Sequence, residues 1–133
     1  MCKLVLTDTL GRALLLWQPR LMYGLPGGIV EPDETPAQAA VREAKEEIGI
    51  EIALEYLIGM YHVYGGGKPE QISFVFAAHV VSGEPHVAEP REVVRLEWVA
   101  PSQLPSPILN DARVALPDFW AEARGVVRTI ERL

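Results

Sequence analysis

The sequence predicts a single α/β or α+β layered domain spanning residues 1–133, and three observations lead there. Short apolar runs of strand type recur along the chain. One strongly amphipathic segment with start and stop signals of a helix interrupts them. The composition, 49% hydrophobic and 23% charged, is ordinary for a globular chain and unlike a disordered or fibrous one.

In order along the chain, KLVLTD and ALLLWQ read as strands joined by the polar turn TLGR, a hairpin over residues 3–18. After LPGG, the segment TPAQAAVREAKEEIG is the clearest helix. Thr35 suits an N-cap, Pro36 sits at the first helical position, Gln38 completes a capping box, and Gly49 is the stop. Steps of about 100° gather Ala37, Ala40, Val41, Ala44 and Ile48 into one apolar arc that should pack on a sheet. IEIALEYLIGMYHVY and QISFVFAAHVV read as strands around a GGGKPE loop, SGEPHVAEPRE as a polar turn region, and VVRLEWV as a further strand. From Pro117 onward, Phe119, Ala123, Val126, Val127 and Ile130 recur at helical spacing and predict a closing amphipathic helix.

The net charge of -6 argues against nonspecific binding to nucleic acid polymers or an anionic membrane surface. Cys2 is the single cysteine, so an intrachain disulfide and a cysteine-rich zinc site are both excluded. With no secretory pattern and no apolar run near the ~20 residues that span a bilayer, a cytoplasmic protein is expected.

On the helix, Glu43, Glu46 and Glu47 lie three and four residues apart, on neighbouring positions of one face, about 120° from the centre of the apolar arc. Three like charges there repel one another unless a cation compensates, and Arg42 alone cannot neutralise them. All-oxygen clusters of this kind suit the hard cations Mg²⁺ or Mn²⁺, although an acidic solvated face has the same residues.

The register joining loop and helix separates these readings. Gly28, Glu34, Arg42, Glu43, Ala44, Glu46, Glu47, Gly49 and Ile50 fit G-x5-E-x7-R-E-U-x-E-E-x-G-U, U being aliphatic. Those nine specified positions would coincide by chance on the order of 10⁻⁹ per starting point. This is the Nudix box, and the chain resembles the Nudix hydrolase family, most strongly over residues 25–50 and more loosely in LLLWQ and EVVRLEWVAPSQLP.

The resemblance implies an α/β/α sandwich around a mixed β-sheet. It also implies hydrolysis of a nucleoside diphosphate linked to another group, with Mg²⁺ or Mn²⁺ and a small nucleotide as substrate. Glu43, Glu46 and Glu47 take the places of the family's metal-binding glutamates, and Gly28 that of a backbone carbonyl near the metal. Arg42 and Glu34 match supporting residues, the arginine bridging to a box glutamate and Glu34 holding loop to helix. For the general base, Glu43 or Glu46 competes with a later loop acid, Glu92 first and Glu89 second. A noncatalytic nucleotide-binding module on the same fold is the alternative, and three mutually repelling acids favour the enzyme.

Arg20 and Lys68 are expected substrate contacts, Lys68 on a glycine loop that could approach phosphate, and Tyr23 or Tyr64 could stack on a base. His62, His79 and His86 have no ligand spacing. The family commonly has another strand before the first run, whereas here MCK leads straight into LVLTD. That predicts a trimmed edge or a start inside the gene, and bears on substrate binding and on a homodimer.

Overall fold

Strands whose residues are buried on both faces need cover on both faces, and that demand organises this chain. The computed structural model describes residues 1–132. β1 (Cys2–Val5) is buried at every position and β2 (Ala13–Trp17) at all but its last. β3 (Tyr23–Gly24) and β4 (Gly27–Gly28) are two-residue strands before α1 (Pro36–Ile48). The long pair β5 (Glu51–Tyr64) and β6 (Gln71–Ser82) follows, then β7 (Arg95–Val99), α2 (Asn110–Trp120) and β8 (Val126–Glu131).

A five-stranded mixed sheet runs β4-β1-β6-β5-β8, and a three-stranded sheet runs β3-β2-β7. The helices lie on opposite sides. Ala39, Ala40, Ala44 and Ile48 of α1 join Cys2, Leu4, Leu14 and Leu16 in one core. Ala112, Ala115 and Leu116 of α2 join Val5, Leu15, Tyr61 and Val75 in the other. The expected α/β/α sandwich around a mixed sheet is therefore observed.

The helix over residues 36–48 has the predicted ends. The Thr35 side chain accepts from the Gln38 N–H, the Gln38 side chain reciprocates, and Gly49 adopts φ +67° at the C-cap. Its buried stripe is turned relative to the sequence expectation: Ala37 and Val41 are only half-buried, while Glu43 and Glu47 go inward.

Two expectations fail. β1 and β2 do not form a hairpin; they belong to different sheets and touch through the Thr7–Ala13 bridge and the Leu14 N–H to Leu6 carbonyl bond. Both edges of β1 are already taken, antiparallel by β4 and parallel by β6. The closing helix is also absent: α2 ends at Trp120, Gly125 (φ +64°) turns the chain, and Val126–Glu131 is β8, parallel to β5. Val126, Val127, Thr129 and Ile130 are β-branched, and in that pairing their strand preference outweighs the helical spacing.

Asp118 ties these last elements together. Its carboxylate accepts from the buried Tyr61 hydroxyl at 2.9 Å and from two Arg128 nitrogens at 2.8 and 2.7 Å. Asp118→Ala leaves the Tyr61 hydroxyl without its acceptor and should destabilise the protein by about 2 kcal/mol, read from the midpoint of urea unfolding. Unchanged stability would show that this tie is dispensable.

Candidate active site

The loop before α1 is fastened by Arg42. Its Nε and Nη2 donate to the two oxygens of Glu34 at 2.9 and 2.8 Å, and Nη2 also donates to the Ile29 carbonyl. Its Nη1 donates to Glu43 and Glu46, both at 3.1 Å. One planar cation thus joins loop to helix and offsets the repulsion between two acids. Arg42 holds the Glu34 carboxyl at about 2, well below its ordinary range, with help from the Glu31 N–H. Glu34 and Arg42, the two residues matched to supporting positions, thus form one two-point ion pair between loop and helix.

Glu43 and Glu47, one helical turn apart, point toward the β4 loop, where a third acid meets them. Carboxylate oxygens of Glu43, Glu47 and Glu92 lie within 4.8 Å of one another. Glu47 is 5% exposed, and its Oε1 accepts the Gly27 N–H at 2.7 Å. Burial raises the Glu47 carboxyl to about 8 and raises Glu43 as well. The convergence of all three helix glutamates expected from the sequence is not observed. Glu46, with its side chain 57% exposed, shares Arg42 Nη1 with Glu43 but is not in the cluster, where the third acid is Glu92.

Glu92 is put there by the 83–94 loop. The His86 and Ala88 N–H groups donate to the Ile48 and Glu47 carbonyls at the end of α1, where helical carbonyls lack partners. Val93 is buried beside it, and the Val94 N–H donates to the Trp17 carbonyl at 2.8 Å. Glu89, the second sequence candidate, faces elsewhere: Arg91 binds its carboxylate and lowers its pKa.

Space at the cluster is kept open by Gly28. A Cβ there would lie within 3.0 Å of both Glu43 carboxylate oxygens. The Gly28 carbonyl accepts the Cys2 thiol at 3.4 Å. An all-oxygen, partly buried set of three carboxylates beside a cradle that a side chain would fill fits a hard divalent cation.

The cluster borders an open cleft of about 460 Å³ that also takes in Lys3, Arg20 and Arg91. A second cavity of similar volume shares Lys3 and Arg20 with it and extends along Lys68, Gln71, Asn110 and Asp111. Lys68 sits on the loop of Gly65, Gly66 and Gly67, all at positive φ, whose carbonyls at Gly65, Lys68 and Pro69 accept from Arg132. Tyr23 and Tyr64 line neither cavity. Tyr23 is buried edge-on against Trp17, its hydroxyl accepting from Arg95, and Tyr64 stacks on His62. Lys3 escaped sequence reasoning because it reads as a polar residue starting a strand; a charge inside a run of core residues was the available signal.

A buried carboxylate centre carried by a loop–helix element on an α/β/α sandwich defines the class, and comparison places the chain within it. The family model for the NUDIX domain matches residues 3–119, and the chain belongs to the Nudix hydrolase family. It is 34% identical over 110 residues to a protein of Bacillus subtilis (strain 168) whose provisional name is 8-oxo-dGTP diphosphatase, covering 83% of this chain and 71% of that one. It is 33% identical over 106 residues to the NAD-capped RNA hydrolase NudC of Pseudomonas aeruginosa (strain LESB58), spanning 77% of this chain but 36% of that longer protein. The crystal structure of a MutT NUDIX hydrolase from Burkholderia pseudomallei superposes with a TM-score of 0.78 at 35% identity, covering 88% of this chain and 94% of the other.

The raised Glu47 pKa has a testable sign. Without metal, the folded protein keeps a proton on Glu47 that the unfolded chain releases above its ordinary value of 4.5. The contribution is therefore fully present below that pH and lost as pH rises toward about 8. In EDTA, the melting temperature of the wild type should fall over this window more steeply than that of Glu47→Gln. Parallel curves would contradict the buried, proton-holding carboxyl.

Proposed function

We propose that the protein is a Mg²⁺- or Mn²⁺-dependent pyrophosphohydrolase. Its substrate on this reading is a small nucleotide in which a nucleoside diphosphate carries a further group, a nucleoside triphosphate or a nucleoside diphosphate sugar. The observation that carries the reading is the meeting of Glu43, Glu47 and Glu92 at one cleft, since mutually repelling acids in a half-buried place are stabilised by a cation. The names of the relatives, a diphosphatase and an NAD-capped RNA hydrolase, agree with a diphosphate bond as the target.

Glu43 and Glu47 would hold the cation, with Glu46 and the Gly28 carbonyl completing the set on the family pattern and the Glu92 carboxylate beside them. A bound Mg²⁺ or Mn²⁺ supplies neutralisation of phosphate charge and a lowered pKa for water. The protein's own work is positioning and proton transfer. Arg42 orients Glu43 and keeps the loop against α1. The Gly27 N–H fixes one oxygen of Glu47. Glu92, exposed at the cleft mouth and held by a pinned loop, is the general base that takes the proton of the attacking water, in preference to Glu43, which is bound to Arg42. Arg20 and Lys68 contact the substrate beyond the cluster.

Release of phosphate or pyrophosphate from a nucleotide panel with Mg²⁺ or Mn²⁺ tests the reading. Glu92→Gln should lower kcat by about 10²–10⁴-fold with the fold retained. The Glu46→Gln, Glu47→Gln double variant should lose most of its turnover and its metal dependence, and its helix should stay formed because repulsion has been removed. Nucleotide binding without turnover on a broad panel, independent of metal, would favour a noncatalytic nucleotide-binding module instead.

A further inference from the structure

We propose that Lys3 is a substrate-binding residue of this enzyme, its ammonium holding a phosphate group where the carboxylate-lined cleft opens into the neighbouring cavity. The assignment rests on the diphosphate chemistry proposed above, and its first support is position. Lys3 lies opposite Gly27 and beside Val75, in a strand flanked on both sides, so it belongs to the interior of the sheet rather than to an edge. Its chain neighbours Cys2, Leu4 and Val5 are core residues. Lysine is among the residues least often found there, because withdrawing an ammonium from water is strongly unfavourable unless it is paired.

Lys3 is 3% exposed, yet it takes part in no ion pair or side-chain hydrogen bond among the described residues. Two of the nearby carboxylates have other partners. Glu47 accepts the Gly27 N–H, and Asp111 accepts the Ser73 hydroxyl and the Ala112 N–H. No side-chain nitrogen or oxygen is fully enclosed without a partner, so the Lys3 ammonium is the part of the side chain that still reaches the cavities. Met1, Lys3 and Arg20 line both cavities and form the boundary between them, the Met1 ammonium being engaged with the Ile72 carbonyl at 2.9 Å. A phosphate chain with one end at the carboxylates and its remainder in the second cavity would cross that boundary, and an ammonium there supplies the missing anion contact.

A different role is conceivable for the same charge: compensation of Glu43 and Glu47, with no ligand contact. The two roles predict opposite results. A ligand-binding ammonium without a protein partner burdens the fold, so Lys3→Met should raise or preserve the melting temperature while weakening binding. A counter-ion to the glutamates should lower the melting temperature on removal and leave ligand affinity alone.

The test is calorimetric titration with inorganic pyrophosphate, with and without Mg²⁺, on wild type, Lys3→Met and Lys3→Arg, alongside thermal melts. The expected result is a loss of pyrophosphate affinity of about tenfold or more in Lys3→Met, no loss of melting temperature, and partial recovery of affinity in Lys3→Arg. Unchanged affinity in Lys3→Met overturns the assignment. Should the variants not fold, reductive methylation of the wild type, mapped by mass spectrometry, decides: pyrophosphate protects Lys3 if it binds there, and equal labelling with and without pyrophosphate overturns the proposal. Wild-type turnover on the nucleotide panel is scored separately. Turnover with a Lys3 indifferent to pyrophosphate removes this inference alone, and pyrophosphate held by Lys3 without any turnover removes the hydrolase reading alone.

Discussion

Repulsion between carboxylates is the constraint around which this structure is arranged. Glu43 and Glu47 leave α1 toward the sheet and meet the exposed Glu92 at an open cleft. Each neighbouring feature limits the resulting strain. Arg42 spreads one positive charge over Glu34, Glu43 and Glu46, and Gly27 presents an amide to Glu47. Glu47 itself is shifted toward its neutral form by burial. On the proposed reading a bound cation completes this compensation, which would connect the electrostatics of the fold to its chemistry.

Separate layers position the participants. α1 belongs to one core and α2 to the other, with the five-stranded sheet between them. The cleft forms where the two-residue strand β4 turns away from β1 toward the helix, and where the 83–94 loop closes over the end of α1. The carbonyls of Glu47 and Ile48 therefore have two functions in one place: they end the helix, and they fix the loop that carries Glu92.

Much of this was legible in sequence because it is local. The capping box and the Gly49 stop lie within the box, where spacing along the helix determines which residues meet, while the supporting roles of Arg42 and Glu34 were implied by the family likeness. The α/β/α layering followed from the family likeness that the same residues carry. What escaped depends on tertiary partners. Helical spacing placed Glu46 with Glu43 and Glu47, but spacing gives only angles about the axis, and the Glu46 side chain is largely exposed on Arg42. Glu92 could be proposed as a loop acid, yet nothing in its own segment reveals that His86 and Ala88 dock on α1. The stretch after Pro117 has apolar residues compatible with either period, and the open edge of β5 decided for a strand. Tyr23 looked like a base-stacking residue and is instead part of the core, with its polar end satisfied by Arg95.

The placement of β1 has a kinetic side. It pairs in parallel with β6, Cys2 beside Phe74, across an intervening stretch that contains the whole loop, α1 and β5. Contacts so distant in sequence carry a large loop-closure cost and form late relative to a helix or the β5–β6 hairpin. The glutamate-bearing helix can thus exist in a chain whose site is not yet assembled. Insertion of β1 between β4 and β6 brings the wall behind Gly27 and Gly28 and the Lys3 ammonium, so the carboxylate-bearing helix is expected to form before the cleft beside it is complete.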